Sequence, residues 1–125
     1  MRIFKTKPFA RFARRERIVD HSLWEAVERA GKGLIDADLG GGVIKQRVAR
    51  QGQGRSGGYR TLIAYRSGDI AVFLFGFAKS ERGDIDAGDL DDLTTIAGQW
   101  LADARKITKD VAAGILIEVN HDDES

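Results

Sequence analysis

Cysteine is absent from this 125-residue chain, so no disulfide can brace the fold, and a reducing, cytoplasmic setting is expected. Histidine is almost absent too, with only His21 and His121. Neither offers a metal-ligand constellation or a base for a Ser–His–carboxylate triad, and Ser22, Ser56, Ser67 and Ser80 lack a nucleophile-elbow context. No metal centre and no cofactor is therefore expected. Long apolar runs are missing as well. The longest, Ile70 to Ala78, is interrupted by Gly76 and is far too short to cross a bilayer, and no cleavable apolar leader is expected at the amino terminus. Proline occurs once, at Pro8, where it ends a short strand over Arg2–Lys7 and is well placed to open a helix.

What the chain does have is charge, unevenly placed. Residues 1–82 carry 17 Lys and Arg against 8 Asp and Glu, whereas residues 83–125 carry 3 against 11. The small formal net charge of +1 conceals this division. A basic surface with an acidic neighbour suits a nucleic-acid or polyanion site, or else two solvated halves that neutralise each other. The length fits a single domain over residues 1–125, with 120–125 expected to be a disordered tail.

Hydrophobic periodicity outlines an α+β domain. Phe9, Phe12 and Ala13 form the apolar stripe of a first helix that is otherwise rich in arginine. Ser22-Leu-Trp-Glu25 has the form of a capping box, so a second helix is expected to begin there, with Leu23, Val27 and Ala30 buried and Gly31 and Gly33 as stop signals. Residues 34–42 read as a glycine-rich connection. Three strands follow, at Val43 to Arg50, Tyr59 to Arg66 and Ile70 to Ala78, joined by a glycine-rich hairpin loop over 51–58 and a compact turn at Ser67-Gly-Asp69. Leu90, Leu93, Ile96, Ala97, Trp100, Leu101 and Ala104 trace an amphipathic helix starting near Asp89. A helical turn near Thr108–Ala113 and a last strand over Ile115–Val119 complete the pattern. The expected architecture is a central, mostly antiparallel sheet with two amino-terminal helices packed on it and a carboxy-terminal amphipathic helix.

Two apparent motifs carry no chemistry. The segment GQGRSGG has neither the GK[ST] ending nor the following helix of a phosphate loop. Asp84, Asp86, Asp89, Asp91 and Asp92 lack the ligand spacing of a calcium loop. The cations of the three strands remain: Lys45, Arg47, Arg50, Arg55, Arg60, Arg66, Lys79 and Arg82, against Asp69 and Glu81. Lys45 and Arg47 share a strand face by alternation, and a hairpin returning through Arg60 brings a third cation beside them. Such a group can take a proton from a 2′-hydroxyl and stabilise charge on a phosphate.

The stretch VIKQRVARQGQGRSGGYRTLIAYRSGDIAVFLFGFAKSERGDID resembles the core of RelE-type toxins of bacterial toxin–antitoxin systems, in particular the branch related to HigB. The elements that carry the resemblance are K-x-R-x(11)-Y-R and, one strand later, F-x-K-x-E-R. The resemblance implies ribosome-dependent mRNA cleavage and neutralisation by a cognate antitoxin, one with a helix-turn-helix domain in the HigB-like branch. Carried over, Lys45 and Arg47 match basic residues that engage mRNA and assist proton transfer, Arg60 matches the arginine near the scissile phosphate, and Lys79 matches a basic position of the motif. Arg50, Arg55, Tyr59, Arg66 and Arg82 are the further candidate RNA contacts. Ser80 stands where the family carries another catalytic arginine, and no tyrosine occurs at 84–86, so the general acid is unassigned among Lys79, Arg82 and Tyr65. A ParE-like toxin that acts on DNA gyrase without cleaving RNA, or a non-catalytic RNA-binding module, are the alternatives.

Overall fold

The structure, a computed structural model, describes residues 1–50, 54–78 and 87–120, with the side chains of 54–57 and 87 excepted. Strand β1 (Arg2–Thr6) runs straight into helix α1 (Lys7–Glu16). Thr6 makes the junction: its hydroxyl caps α1 by accepting from the Phe9 amide at 3.2 Å and donates to the Leu74 carbonyl at 3.1 Å. Pro8 sits in the first turn, where no backbone donor is needed. Helix α1 ends at Arg17, whose φ of 58° places a non-glycine residue in the left-handed region.

Helix α2 (Asp20–Gly31) begins earlier than the Ser22–Glu25 pattern predicts. Val19 is its N-cap and no side chain caps it. Ser22 lies inside the first turn, so the capping box does not form; Asp20 supplies the favourable charge there instead. The expected connection at 34–42 contains a short edge strand, β2 (Ala37–Gly40), which pairs with β3. Periodicity could not signal it, because only Ala37 and Leu39 of its four residues are even partly buried.

Strands β3 (Val43–Arg50), β4 (Gly54–Arg66) and β5 (Ile70–Ala78) form the expected antiparallel meander. Strand β4 starts inside the segment read as loop. Gly58 is needed there, since a Cβ at that position would lie 2.1 Å from the Val48 carbonyl oxygen. Helix α3 (Ala87–Ala102) matches its apolar spacing, but Ala104 does not continue it. Asp103 breaks the helix and caps a longer α4 (Ala104–Ala112) than the single turn anticipated. Strand β6 (Leu116–Val119) closes the chain, and the expected disordered tail lies, from 121 on, outside the described residues.

The six strands are ordered β2-β3-β4-β5-β1-β6. All neighbours are antiparallel except β1 and β5. One face buries Ile44, Val48, Tyr59, Ile63, Ala71 and Phe73 under α1 and α2. The other buries Val43, Leu62, Ala64, Val72 and Leu74 with Ala97, Trp100 and Ile107 of α3 and α4. Among the described residues no helix is long and apolar enough to cross a membrane.

A polar contact joins the two carboxy-terminal helices. Trp100 Nε1 donates to Asp110 Oδ2 at 2.8 Å, and Lys106 Nζ lies 3.1 Å from the same oxygen. The tryptophan hydrogen bond, helped by Lys106, holds the Asp110 carboxyl below its ordinary range, although desolvation pushes the other way. A carboxylate so held contributes stability that is complete above the unfolded-state value of about 4 and is lost as pH falls through its lowered native value. Asp110→Ala is expected to lower stability by about 2 kcal/mol at neutral pH, because the indole donor loses its buried partner. In urea unfolding, the gap between variant and wild type should shrink below about pH 4.

Candidate nucleic-acid interface

The cations of β3 and β4 are gathered by pairing register. In a strand, alternate residues face opposite sides, so with Ile44, Gln46 and Val48 under α1 and α2, Lys45 and Arg47 emerge on the other face. On β4 the same reasoning puts Tyr59, Thr61, Ile63 and Tyr65 toward α1 and α2, and Arg60, Leu62, Ala64 and Arg66 on the face of Lys45. The ladder sets Arg47 directly opposite Arg60 and Lys45 opposite Leu62. Lys45 and Arg60 are thus diagonal neighbours, about 7–8 Å apart at the backbone.

Buried polar contacts hold this register. Gln46, wholly buried, donates through Nε2 to the carbonyls of Ala26 (2.9 Å) and Leu34 (3.0 Å), tying β3 to α2. Thr61 Oγ1 donates to the Gln46 carbonyl at 2.8 Å. Strand β2 stops opposite Lys45, and Arg29 Nη2 takes over by donating to the Arg47 carbonyl at 2.5 Å.

An irregularity adds aromatic residues to the row. Leu62 pairs with Phe75 and Ile63 with Phe73, so Leu74 is an extra residue in β5. The bulge reverses the alternation beyond it, and Phe75 and Phe77 join Leu62 and Arg60 on one face. Phe77 is the register partner of Arg60.

Among the described residues, Arg47 and Arg60 are answered differently. Arg47 Nε is 3.1 Å from Asp36 Oδ2, a pair with side chains 42% and 27% exposed. Arg60 Nη1 is buried and has no hydrogen-bond partner among the described residues. A buried guanidinium nitrogen without an acceptor is costly unless an anion arrives. Lys45 is half-buried beside them.

The other sequence candidates are not brought here. Tyr59 is 2% exposed; its ring packs edge-on against Phe12 at 5.5 Å and its hydroxyl reaches Glu16, so it is a core residue and offers no surface to a base. Arg50 stacks over the Tyr59 ring at 5.7 Å, beside a cavity of about 380 Å³ on the side away from Arg60. Arg66 shares the face but sits at the far end of β4, where it pairs with Asp69 at 3.0 Å and donates to the Leu101 carbonyl. Tyr65 lies on the α1/α2 side and packs against that core. The side chain of Arg55, together with Lys79 and Arg82, lies outside the described residues. Asp36, Arg29 and the two phenylalanines were not singled out from sequence; each acts through register, which no local pattern reveals.

A family model for the RelE toxin of the RelE/RelB toxin–antitoxin system matches residues 1–119. No curated protein matches the chain.

Because Asp36 occupies Arg47, removing it should free the cation at little structural expense. Asp36→Ala is expected to change stability by less than about 1 kcal/mol, as for other exposed pairs. Retention on a heparin column should increase, with elution at higher salt than wild type.

Proposed function

The chain belongs to the RelE toxin family of toxin–antitoxin systems, and on that premise we propose that it is an endoribonuclease that cleaves mRNA on the ribosome and so arrests translation. The observation that carries this reading is the row formed by Arg47 and Arg60, opposite each other with Lys45 diagonal to Arg60, and with one guanidinium nitrogen of Arg60 buried and without a hydrogen-bond partner among the described residues. That arrangement presents two planar donors and an amine to one anionic group, which suits a phosphodiester.

The reaction needs no group beyond the strand itself and the protein. Lys45 assists removal of the proton from the 2′-hydroxyl, whose oxygen attacks the adjacent phosphorus. Arg60 takes the charge that gathers on the non-bridging oxygens, and Arg47 positions the phosphate. The bond to the 5′-oxygen breaks, that oxygen takes a proton from Lys79 or Arg82, the general-acid candidates of the strand-end motif, and the products are a 2′,3′-cyclic phosphate and a 5′-hydroxyl. Lys79 is the fourth proposed catalytic residue, and Arg55 and Arg82 are proposed RNA contacts. A cognate antitoxin is the partner that the family implies, and we assign it a helix-turn-helix domain of the kind paired with HigB-like toxins.

Arg60→Ala is expected to lower mRNA cleavage on translating ribosomes by about 10²–10³-fold, the usual effect of losing one preorganised charge contact, with an unchanged circular-dichroism spectrum. Wild-type cleavage by a folded variant would remove Arg60 from the mechanism.

Product ends test the chemistry independently. Mapping should find 2′,3′-cyclic phosphate or 3′-phosphate termini. A 5′-phosphate opposite a 3′-hydroxyl would mean attack by water and would exclude the 2′-hydroxyl route. Growth arrest without cleavage on ribosomes would instead favour a non-nuclease toxin.

A further inference from the structure

The cation row on β3 and β4 leaves the arginines of α1 without a role. Arg11, Arg14 and Arg15 are exposed on a helix whose apolar residues Phe9, Phe12 and Ala13 are buried. Solvation explains scattered cations, but Arg11 and Arg15 are placed more specifically. They line a groove of about 270 Å³ together with Pro8, Phe12, Phe75 and Phe77.

The groove follows from where β1 stops. The last β1–β5 pair is Lys5 with Phe73, and the chain enters α1 at Lys7. Past Leu74 the edge of β5 is therefore flanked by a helix and not by a strand. Gly76 lets that helix lie close, since a Cβ there would be 2.7 Å from the Phe12 ring. The Leu74 bulge turns Phe75 and Phe77 toward the cation row, with Phe77 beside Arg60. The groove thus starts where the row ends.

Its two arginines are exposed. Arg11 has no hydrogen bond or ion pair among the described residues. Arg15 stands 5.5 Å over the Phe12 ring and 3.6 Å from Glu16 Oε2, yet its side chain is 63% exposed. Residues four apart on a helix have Cβ atoms about 5–6 Å apart, a step comparable to that between successive phosphates of an extended strand.

We infer that this groove carries the RNA strand away from the scissile phosphate, around the edge of β5, with Arg11 and Arg15 on successive phosphates and the half-buried Phe75 as a surface for one base. A cationic groove with an aromatic floor is the common form of single-strand sites. The inference rests on the endoribonuclease reading above and extends it to the path of the substrate.

The test uses the full chain and 2′-O-methyl oligonucleotides, which lack the attacking hydroxyl, with binding read by fluorescence anisotropy. Wild type should bind a 12-mer more tightly than a 4-mer. Arg11→Ala combined with Arg15→Ala should remove about tenfold of the 12-mer affinity at low salt and lower the log–log salt slope by about 1.4, two single-strand phosphate contacts. Affinity for the 4-mer and the melting temperature should not change. Arg11→Lys with Arg15→Lys should restore most of the loss. If the alanine pair keeps wild-type affinity and slope while Lys45→Glu with Arg47→Glu abolishes binding, the groove is overturned and the cleavage face stands; an acidic protein would then be the better occupant. A wild type that gains nothing from the longer strand overturns the groove as well, and product-end mapping reports separately on the endoribonuclease reading.

Discussion

The pairing of β3 with β4 is the constraint on which this molecule depends. A slip of one residue would turn Lys45, Arg47 and Arg60 into the α1/α2 core and bring Gln46, Val48 and Tyr59 out to solvent, because side-chain direction alternates at every residue. The slip is opposed from both faces: Ile44, Val48, Tyr59 and Ile63 are buried on one, and Val43, Leu62 and Ala64 on the other. Gln46 adds direction to this apolar energy. Its amide meets two fixed carbonyls on and after α2, a geometry that a shifted strand could not reproduce.

That rigidity allows the protein to hold like charges together. Arg47 and Arg60 face each other across the ladder, an arrangement that is unfavourable in isolation. Asp36 answers one of them from just ahead of β2, and Arg29, another cation, is occupied by Glu25 at 2.8 Å while it donates to the Arg47 carbonyl. Among the described residues one guanidinium nitrogen of Arg60 has no acceptor, and the surrounding fold supports that charge. Asp89, Asp91 and Asp92 are exposed in the first turns of α3, where they meet the positive end of the helix dipole.

Two small irregularities shape the rest of the surface. Thr6 ends β1 and starts α1 in a single residue, and the Leu74 bulge reverses the alternation of β5 at nearly the same level of the sheet. Together they leave a strand edge beside a cationic helix and turn two aromatic rings toward Arg60. Bulges recur near functional sites because they re-aim side chains without breaking a sheet.

The sequence by itself determined most of the elements and the composition of the site. Apolar spacing located α1, α3 and the three meander strands, since burial of one face must repeat with the period of the backbone; the K-x-R spacing put Lys45 and Arg47 on one side of β3 for the same reason. Only the tertiary structure decided which distant residues meet. Strand β2, with few buried residues, depends on pairing with β3; the capping box of Ser22 and Glu25 lost to an earlier start at Asp20; and Tyr59, cationic-site material by its neighbours in sequence, is core because its strand parity faces α1. Arg66 shares the face of Arg60, yet three alternations along β4 and a turn aspartate remove it from the row. Periodicity is a local property that one segment can encode, whereas register, bulges and the end of a strand are settled by the contacts of several segments at once.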